Sequence, residues 1–236
     1  MSTSRPGSAA RVTAVLLVLG ALAYTAWALE AVVRTGLDPV RTYVSELAAT
    51  DQPLGGLFRA TDLTAGLLVL AAATTALLAT RRQPTDSGRP RPRRLVLVGW
   101  FALALFGAAT AVDSRLPLSC APTADPACAA REASGLVPGT HTAHAASSGL
   151  AMAGALAAMI ALTLAARRYR IWRPLSRTGA VLVALELAAT VWTLTAVAAF
   201  ETGGGTWALG VGQRLQVLLV ALWLAVLAVS VARERP

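Results

Sequence analysis

The sequence predicts an all-α polytopic membrane protein with six transmembrane helices, both termini in the cytoplasm and a short amphipathic helix in the first outer loop. Of its 236 residues, 56% are hydrophobic and 14% are charged, and the mean hydropathy is +0.60. This is more apolar side-chain surface than the core of a soluble domain requires. The apolar residues form six runs of about 20, the length that crosses a bilayer, and arginine-rich segments separate several of these runs.

Polar or charged residues bound each apolar run and so limit the six predicted spans. The first run continues about ten residues beyond Ala21-Leu22-Ala23, which is similar to a signal-peptidase site, so we predict an uncleaved anchor. The predicted spans cover about residues 12–33, 60–80, 95–113, 142–166, 178–199 and 215–232, in one transmembrane domain of residues 12–232 between cytoplasmic tails 1–11 and 233–236.

The first connection contains the signals of a short helix. Asp38 and Pro39 match an N-cap residue followed by proline at the first helical position. Apolar side chains then recur at helical spacing, at Val40, Tyr43, Val44 and Leu47. We therefore predict an amphipathic helix that lies on the bilayer surface or caps the bundle.

All 21 basic residues are arginine, and their distribution orients the predicted bundle. Fifteen of them lie in the segments 1–11, 81–94, 167–177 and 233–236, which are placed inside because cytoplasmic segments carry the excess of positive charge. The net charge of +9 and the pI near 11.3 are compatible with nucleic-acid binding. However, the charge lies in short blocks between apolar runs and no nucleic-acid-binding motif occurs, so the predicted partners are membrane lipids.

Both cysteines, Cys120 and Cys128, lie in the predicted second outer loop. An oxidising compartment outside the membrane permits a disulfide between them. Two unpaired thiols are the alternative.

Ionisable and polar side chains gather at the outer ends of the predicted spans. They are Glu30, Asp62, Asp113, His141, His144, Gln213 and Arg214. From the loop helix, Arg41, Ser45 and Glu46 can reach the same level. Because ionisable groups in membrane spans are costly, this shared level is the predicted functional site.

Asp113, His141 and His144 form a set that suits zinc or another divalent metal. Glu46 or Asp62 would then serve as a further ligand or as the general base on a bound water. The alternatives are that the histidines hydrogen-bond loop backbone and cap the helix, or that Asp113 pairs with Arg115 or Arg214.

Two further residues have competing interpretations. Ser45 beside Glu46 could suggest a hydrolase nucleophile, but no positioning motif surrounds it, so a surface serine is the simpler interpretation. Glu186 lies near mid-bilayer depth in the fifth span. It is either a proton or cation site, or a protonated carboxyl bonded to Thr190 or a neighbouring helix.

Five segments together carry a family resemblance. They are P-V-R-T-Y-V-S-E-L, F-R-A-T-D-L-T-A-G-L-L, D-S-R-L-P-L, H-T-A-H-A-A-S-S-G and G-V-G-Q-R-L-Q-V. In order and spacing they resemble the bacterial integral membrane family called domain of unknown function 998, over about residues 12–232. The resemblance implies a six-span bundle in the plasma membrane and no established activity. Positions that match its polar motifs are Ser45, Glu46, Asp62, Asp113, His141, His144, Gln213 and Arg214, and the cysteine-bearing insert is longer than is usual in the family.

The leading hypothesis is an outward-facing polar pocket that binds a lipid head group or small amphiphile. In that pocket Arg41 and Arg214 would hold an anion, and the acids and histidines would shape the site. The alternatives are a metal- or acid-dependent enzyme that hydrolyses or modifies lipids or terpenoids, centred on Asp113, His141 and His144, and a proton-coupled transporter that uses Glu186.

Overall fold

The computed structural model describes residues 7–81 and 94–234, and every regular element in these ranges is helical. The α-helices are α1 (Ser8–Tyr24), α2 (Gly55–Arg81), α3 (Arg94–Asp113), α4 (Pro126–Ala133), α5 (Gly139–Tyr169), α6 (Arg173–Glu201) and α7 (Leu209–Arg233). Two 3₁₀ helices, Ala26–Ala31 and Val44–Ala48, lie between α1 and α2. Within the described ranges, six helices are long and apolar enough to cross a membrane, α1 being counted with the 3₁₀ helix that follows it. The predicted all-α, six-span fold is confirmed.

The six long helices form a closed ring in chain order. Each packs against the next one, with α3 packing directly on α5, and α7 returns to pack against α1. Successive helices alternate in direction, so the connections 25–54, 114–138 and 202–208 meet at one end, here called the loop end. The opposite end carries the α5–α6 connection 170–172 and is called the basic end.

Small residues allow the helices to approach closely. A Cβ atom added to Gly66 would lie 2.5 Å from the Ala111 backbone nitrogen, and one added to Gly107 would lie 2.5 Å from the Leu70 backbone nitrogen. Close contact of this kind stabilises helix pairs in lipid, where apolar burial alone gives little preference for association. The largest side chains that are fully buried in the ring include Trp223, Phe106, Leu17, Leu103, Met159 and Leu162.

The first span is not the continuous helix predicted for residues 12–33. Helix α1 ends at Tyr24, and the chain continues as the 3₁₀ helix Ala26–Ala31. The Thr25 hydroxyl lies 2.9 Å from the Leu22 carbonyl oxygen and donates to it, and the Thr25 backbone N–H donates to the Ala21 carbonyl oxygen at 3.1 Å. These bonds occupy the carbonyls that end the α-helix.

The predicted amphipathic helix after Asp38 is also corrected. The Asp38 carboxylate accepts from the Val40 N–H at 2.9 Å and closes a turn, and only the five-residue 3₁₀ helix Val44–Ala48 follows. The bonds that a helix would make internally go to α7 instead. Gln213 Oε1 accepts from the Val44 N–H at 2.8 Å, and the Gly210 N–H donates to the Val40 carbonyl oxygen at 3.0 Å.

Some predictions lie outside the described residues. They concern the tail residues 1–6 with Arg5, the arginine-rich connection over 82–93 and the C-terminal residues 235–236.

Candidate functional site

A disulfide-closed loop covers part of the loop end. Cys120 and Cys128 are paired with their sulfurs 2.01 Å apart, as predicted. Cys128 lies in α4, a short helix that begins where Asp125 Oδ1 accepts from the Ala127 N–H at 2.9 Å. Helix α4 was not predicted from the sequence, although Asp125-Pro126 is a capping pair of the usual kind.

Glu46 joins this loop to the first connection. Its side chain is fully buried, and its two oxygens accept from the Thr123 N–H at 2.7 Å and the Thr123 hydroxyl at 2.5 Å. Burial raises the pKa of Glu46 to about 7, although the two bonds from Thr123 act in the opposite direction. Both oxygens of Glu46 are therefore engaged in holding the two loops together, and its predicted catalytic role stays a prediction.

His141 also belongs to the loop. Its Nδ1 accepts from the Ser119 backbone N–H at 3.0 Å, and the Ser119 hydroxyl lies 2.9 Å from the same nitrogen. Its Nε2 lies 3.3 Å from Glu132, so it carries the proton and donates to that carboxylate. This arrangement agrees with the alternative in which the histidine bonds loop backbone.

His144 makes different contacts, which connect α5 to the end of α3. Its Nδ1 lies 3.0 Å from the Leu116 carbonyl oxygen and 3.2 Å from Asp113 Oδ1. Both of these atoms are acceptors, so Nδ1 carries the proton and Nε2 is free to accept. The Ser148 hydroxyl lies 3.3 Å from Nε2 and 3.1 Å from Asp113 Oδ2, and the Ser147 hydroxyl also donates to Asp113.

The predicted metal set is therefore not assembled. Asp113 meets His144, but Ser119 and Glu132 hold His141 within the loop. In the part of the chain that the structure describes, no group of three histidine, cysteine or acidic side chains is arranged to hold a metal ion. Zinc binding by Asp113, His141 and His144 lacks geometric support.

A cavity of about 140 Å³ opens at the loop end beside Asp113. Its walls come from α1, α2, α3, α5, α7 and both 3₁₀ helices. Its polar lining residues are Tyr24, Trp27, Ser45, Asp62, Thr110, Asp113, Ser148, Gln213 and Gln216, with Phe58 and Met152 among the apolar ones. Among the described residues, no arginine or histidine lines it.

Asp62 is the least engaged acid in this cavity. Within the described residues, its carboxylate makes no hydrogen bond or ion pair, although Asp113 and His144 are near enough to interact with it electrostatically. Ser45 and Gln213 also line the cavity, and Gln213 additionally holds the Val44 N–H.

The two arginines predicted to hold an anion are used elsewhere. Arg41 is exposed and lies 3.6 Å from Asp38 in a surface ion pair. Arg214 is buried and makes a bidentate pair with Glu30, with distances of 2.5 and 2.6 Å. Its remaining nitrogen donates to the Thr42 carbonyl oxygen at 2.9 Å. Arg214 therefore ties α7 to the end of the first span and to the first loop, instead of facing a ligand.

Glu186 lies in α6 and is fully buried away from the cavity lining. Thr190 and Gln216 are its polar neighbours, but neither forms a hydrogen bond of ordinary geometry with its oxygens. Gln216 Nε2 donates instead to the Thr190 hydroxyl at 2.9 Å. Thr190 and Gln216 therefore bond each other beside the carboxyl of Glu186.

Several cavity residues were missed from the sequence, notably Ser148, Tyr24 and Gln216. Ser148 had a readable signal, because it stands four residues after His144 and thus on the same helix face. Tyr24 and Trp27 had none, since aromatic residues are common at the ends of membrane spans.

One family model matches the chain, and it is described as protein of unknown function (DUF998). The match covers residues 5–230. No curated protein and no solved structure matches the chain.

Proposed function

The chain belongs to the DUF998 family of proteins of unknown function, and from that premise we propose that its loop-end cavity binds the head group of a small cationic amphiphile. The observation that carries the proposal is Asp62, whose carboxylate is unpaired within the described part of the chain and lies in a cavity that no basic side chain of that part lines. A carboxylate in such surroundings favours a positively charged ligand.

The aromatic lining supports the same ligand class. Tyr24, Trp27 and Phe58 share the cavity with Asp62. Aromatic faces attract ammonium groups, and their apolar surface suits the adjoining hydrocarbon. The proposal keeps the amphiphile expected from the sequence, but it reverses the charge of the head group because Arg41 and Arg214 do not reach the cavity.

The proposed setting is a bacterial plasma membrane with both termini in the cytoplasm. Support comes from the arginine distribution, which favours the basic end as the cytoplasmic one. A disulfide at the loop end is consistent with that end facing the oxidising side. The cavity would then be open to molecules of the outer leaflet.

Titration calorimetry on the protein in nanodiscs tests the proposal, with hexyltrimethylammonium and hexanoate as probes of opposite charge. We expect the ammonium to bind and hexanoate not to. Asp62→Asn should weaken ammonium binding at least about tenfold, because opposite unit charges about 4 Å apart attract each other by about 1–4 kcal/mol between bulk water and a protein surface.

The matched control is Asp51→Asn, which removes an exposed carboxylate from the same end of the bundle. It should leave ammonium affinity unchanged. Equal binding of the two probes, or an equal loss in both variants, would rule out the cavity as a cation site.

The contacts of Ser148 favour a second candidate, a serine-dependent ester hydrolase. Ser148, His144 and Asp113 lie within reach of one another as a nucleophile, a base and the carboxylate that orients the base, and Ser148 lines the cavity. The Ser148 hydroxyl here donates to Asp113 Oδ2 at 3.1 Å, and it would turn to His144 Nε2, 3.3 Å away, for the reaction. The Ser148 oxygen would attack the ester carbonyl while its proton passes to His144 Nε2. His144 would return that proton to the departing alkoxide, and water would then hydrolyse the acyl-serine.

Two measurements distinguish this candidate from binding alone. Turnover of a medium-chain nitrophenyl ester should fall at least about a hundredfold in Ser148→Ala, and a fluorophosphonate probe should label Ser148 in the wild type. Ser45→Ala is the control, because Ser45 lines the same cavity but does not contact His144. Absence of both turnover and labelling would remove the hydrolase and leave the binding proposal intact.

A further inference from the structure

A second cavity lies at the basic end, far from the site described above. Its volume is about 500 Å³. It is lined by Arg170, Ile171, Trp172, Arg173, Pro174, Arg177, Ser230, Arg233 and Glu234. Four arginines against one glutamate make it a positively charged cavity, and within the described residues none of the four forms an ion pair.

An apolar groove of about 580 Å³ adjoins this cavity and shares Pro174 and Arg177 with it. The groove runs along α6 and α7, where Val181, Leu182, Leu222, Ala225, Val226 and Val229 line it. Charge and hydrocarbon are therefore arranged end to end, with the arginines at the bundle end and the groove within the membrane-spanning length of the helices.

Trp172 supplies an independent sign of a missing acceptor. Trp172 is 8% exposed, and its indole N–H has no hydrogen-bond partner in the described structure. Glu234 approaches this N–H without reaching hydrogen-bond geometry. A buried N–H without an acceptor is unfavourable, and a phosphate oxygen in the cavity would provide one.

We propose that this composite site binds an anionic phospholipid, with the phosphate head group among Arg170, Arg173, Arg177 and Arg233 and an acyl chain in the groove between α6 and α7. Guanidinium groups suit phosphate, because they present several N–H donors in a plane. A basic pocket between transmembrane helices is a setting in which anionic head groups bind.

A second apolar groove on the bundle lacks such a charged end. The groove between α1 and α7, lined by Val15, Leu19 and Val229, is equally apolar but has no charged residue in its lining. Such a groove accommodates any lipid tail. Of these two grooves in the described part of the chain, the α6–α7 groove is the one that opens into a charged cavity, so its lining discriminates between head groups.

Native mass spectrometry of the full chain, delipidated in mild detergent, tests the proposal. The probes are dioleoylphosphatidylglycerol and dioleoylphosphatidylcholine, which share acyl chains and differ in head-group charge. We expect the wild type to bind phosphatidylglycerol at a lipid concentration about tenfold lower than it needs to bind phosphatidylcholine. Free glycerol phosphate at the same concentration should not displace it, because it lacks the chain.

Variants locate the binding. Arg173→Gln/Arg177→Gln should abolish the preference for the anionic lipid, whereas Arg167→Gln/Arg168→Gln, which changes two exposed arginines outside the cavity, should keep it. Ala225→Phe fills the groove without changing charge and should weaken retention of phosphatidylglycerol about tenfold. Equal retention of both lipids by the wild type, displacement by glycerol phosphate, or equal effects of the two arginine pairs would each overturn the proposal.

Discussion

Replacing Arg214 by methionine is expected to lower the free energy of unfolding by about 3–5 kcal/mol, the typical cost of breaking a buried ion pair by removing one partner. The side chains of Arg214 and Glu30 are each 9% exposed, so the variant leaves the Glu30 carboxylate buried without its partner. The Thr42 carbonyl oxygen also loses the N–H that it accepts from. Unfolding titrations in mixed detergent micelles measure the loss.

Arg41→Met is the matched control, because it removes the same charge from an exposed position in the loop that Arg214 holds. Its effect should stay within about 0.5 kcal/mol. Adding Glu30→Met to Arg214→Met should recover much of the stability, since the unpaired charge is then gone. Similar losses of unfolding free energy in Arg41→Met and Arg214→Met would show that the buried ion pair stabilises the protein no more than an exposed one.

The architecture was readable from the sequence because a bilayer imposes its thickness on the chain. Apolar runs of about 20 residues are needed to span it, so the six spans follow from composition and length alone. The order of the helices in the ring cannot be derived from composition and length. It depends on close contacts such as Gly66 against α3 and Gly107 against α2, which become visible only when the partner helix is known.

The sequence predicted at which end of the bundle the polar residues lie, but not which of their side chains contact one another. Alternating spans bring Glu30, Asp113 and Arg214 to the same end of the bundle. Which of them meet is decided by packing in three dimensions, and the competing partner can lie in an element that no pattern revealed. His141 is the clearest case, because Glu132 in the unpredicted helix α4 draws it away from Asp113.

Several polar residues that the sequence placed in the candidate site attach loops to the ring of helices. Arg214, Gln213 and Glu46 hold the first and second connections against α7 and each other. The long connections of a membrane protein bury backbone N–H and C=O groups that need hydrogen-bond partners. Polar side chains at the helix ends provide those partners. Asp62 and Ser148 are the stronger functional candidates, because both line the cavity and have oxygen atoms that can still contact a ligand there.

Glu46 makes the attachment of the disulfide loop sensitive to pH. Burial holds the pKa of Glu46 near 7, above the ordinary value of 4.5, so the folded protein retains a proton that the unfolded chain has lost. The stabilising contribution is complete below about pH 4.5 and is lost as pH rises through 7. Relative to Glu46→Gln, the wild type should therefore lose about 2 kcal/mol of unfolding free energy between pH 5 and pH 8.

The comparison with Glu46→Gln isolates this carboxyl, because the histidines and other acids titrate alike in both proteins. Glutamine keeps an acceptor for Thr123 but has no proton to lose, so its own pH profile reports everything except Glu46. A constant difference between the two profiles from pH 5 to pH 8 would mean that Glu46 titrates equally in the folded and unfolded chains. The result that burial of Glu46 demands is a gain in the stability of the wild type relative to Glu46→Gln as the pH falls from 8 to 5.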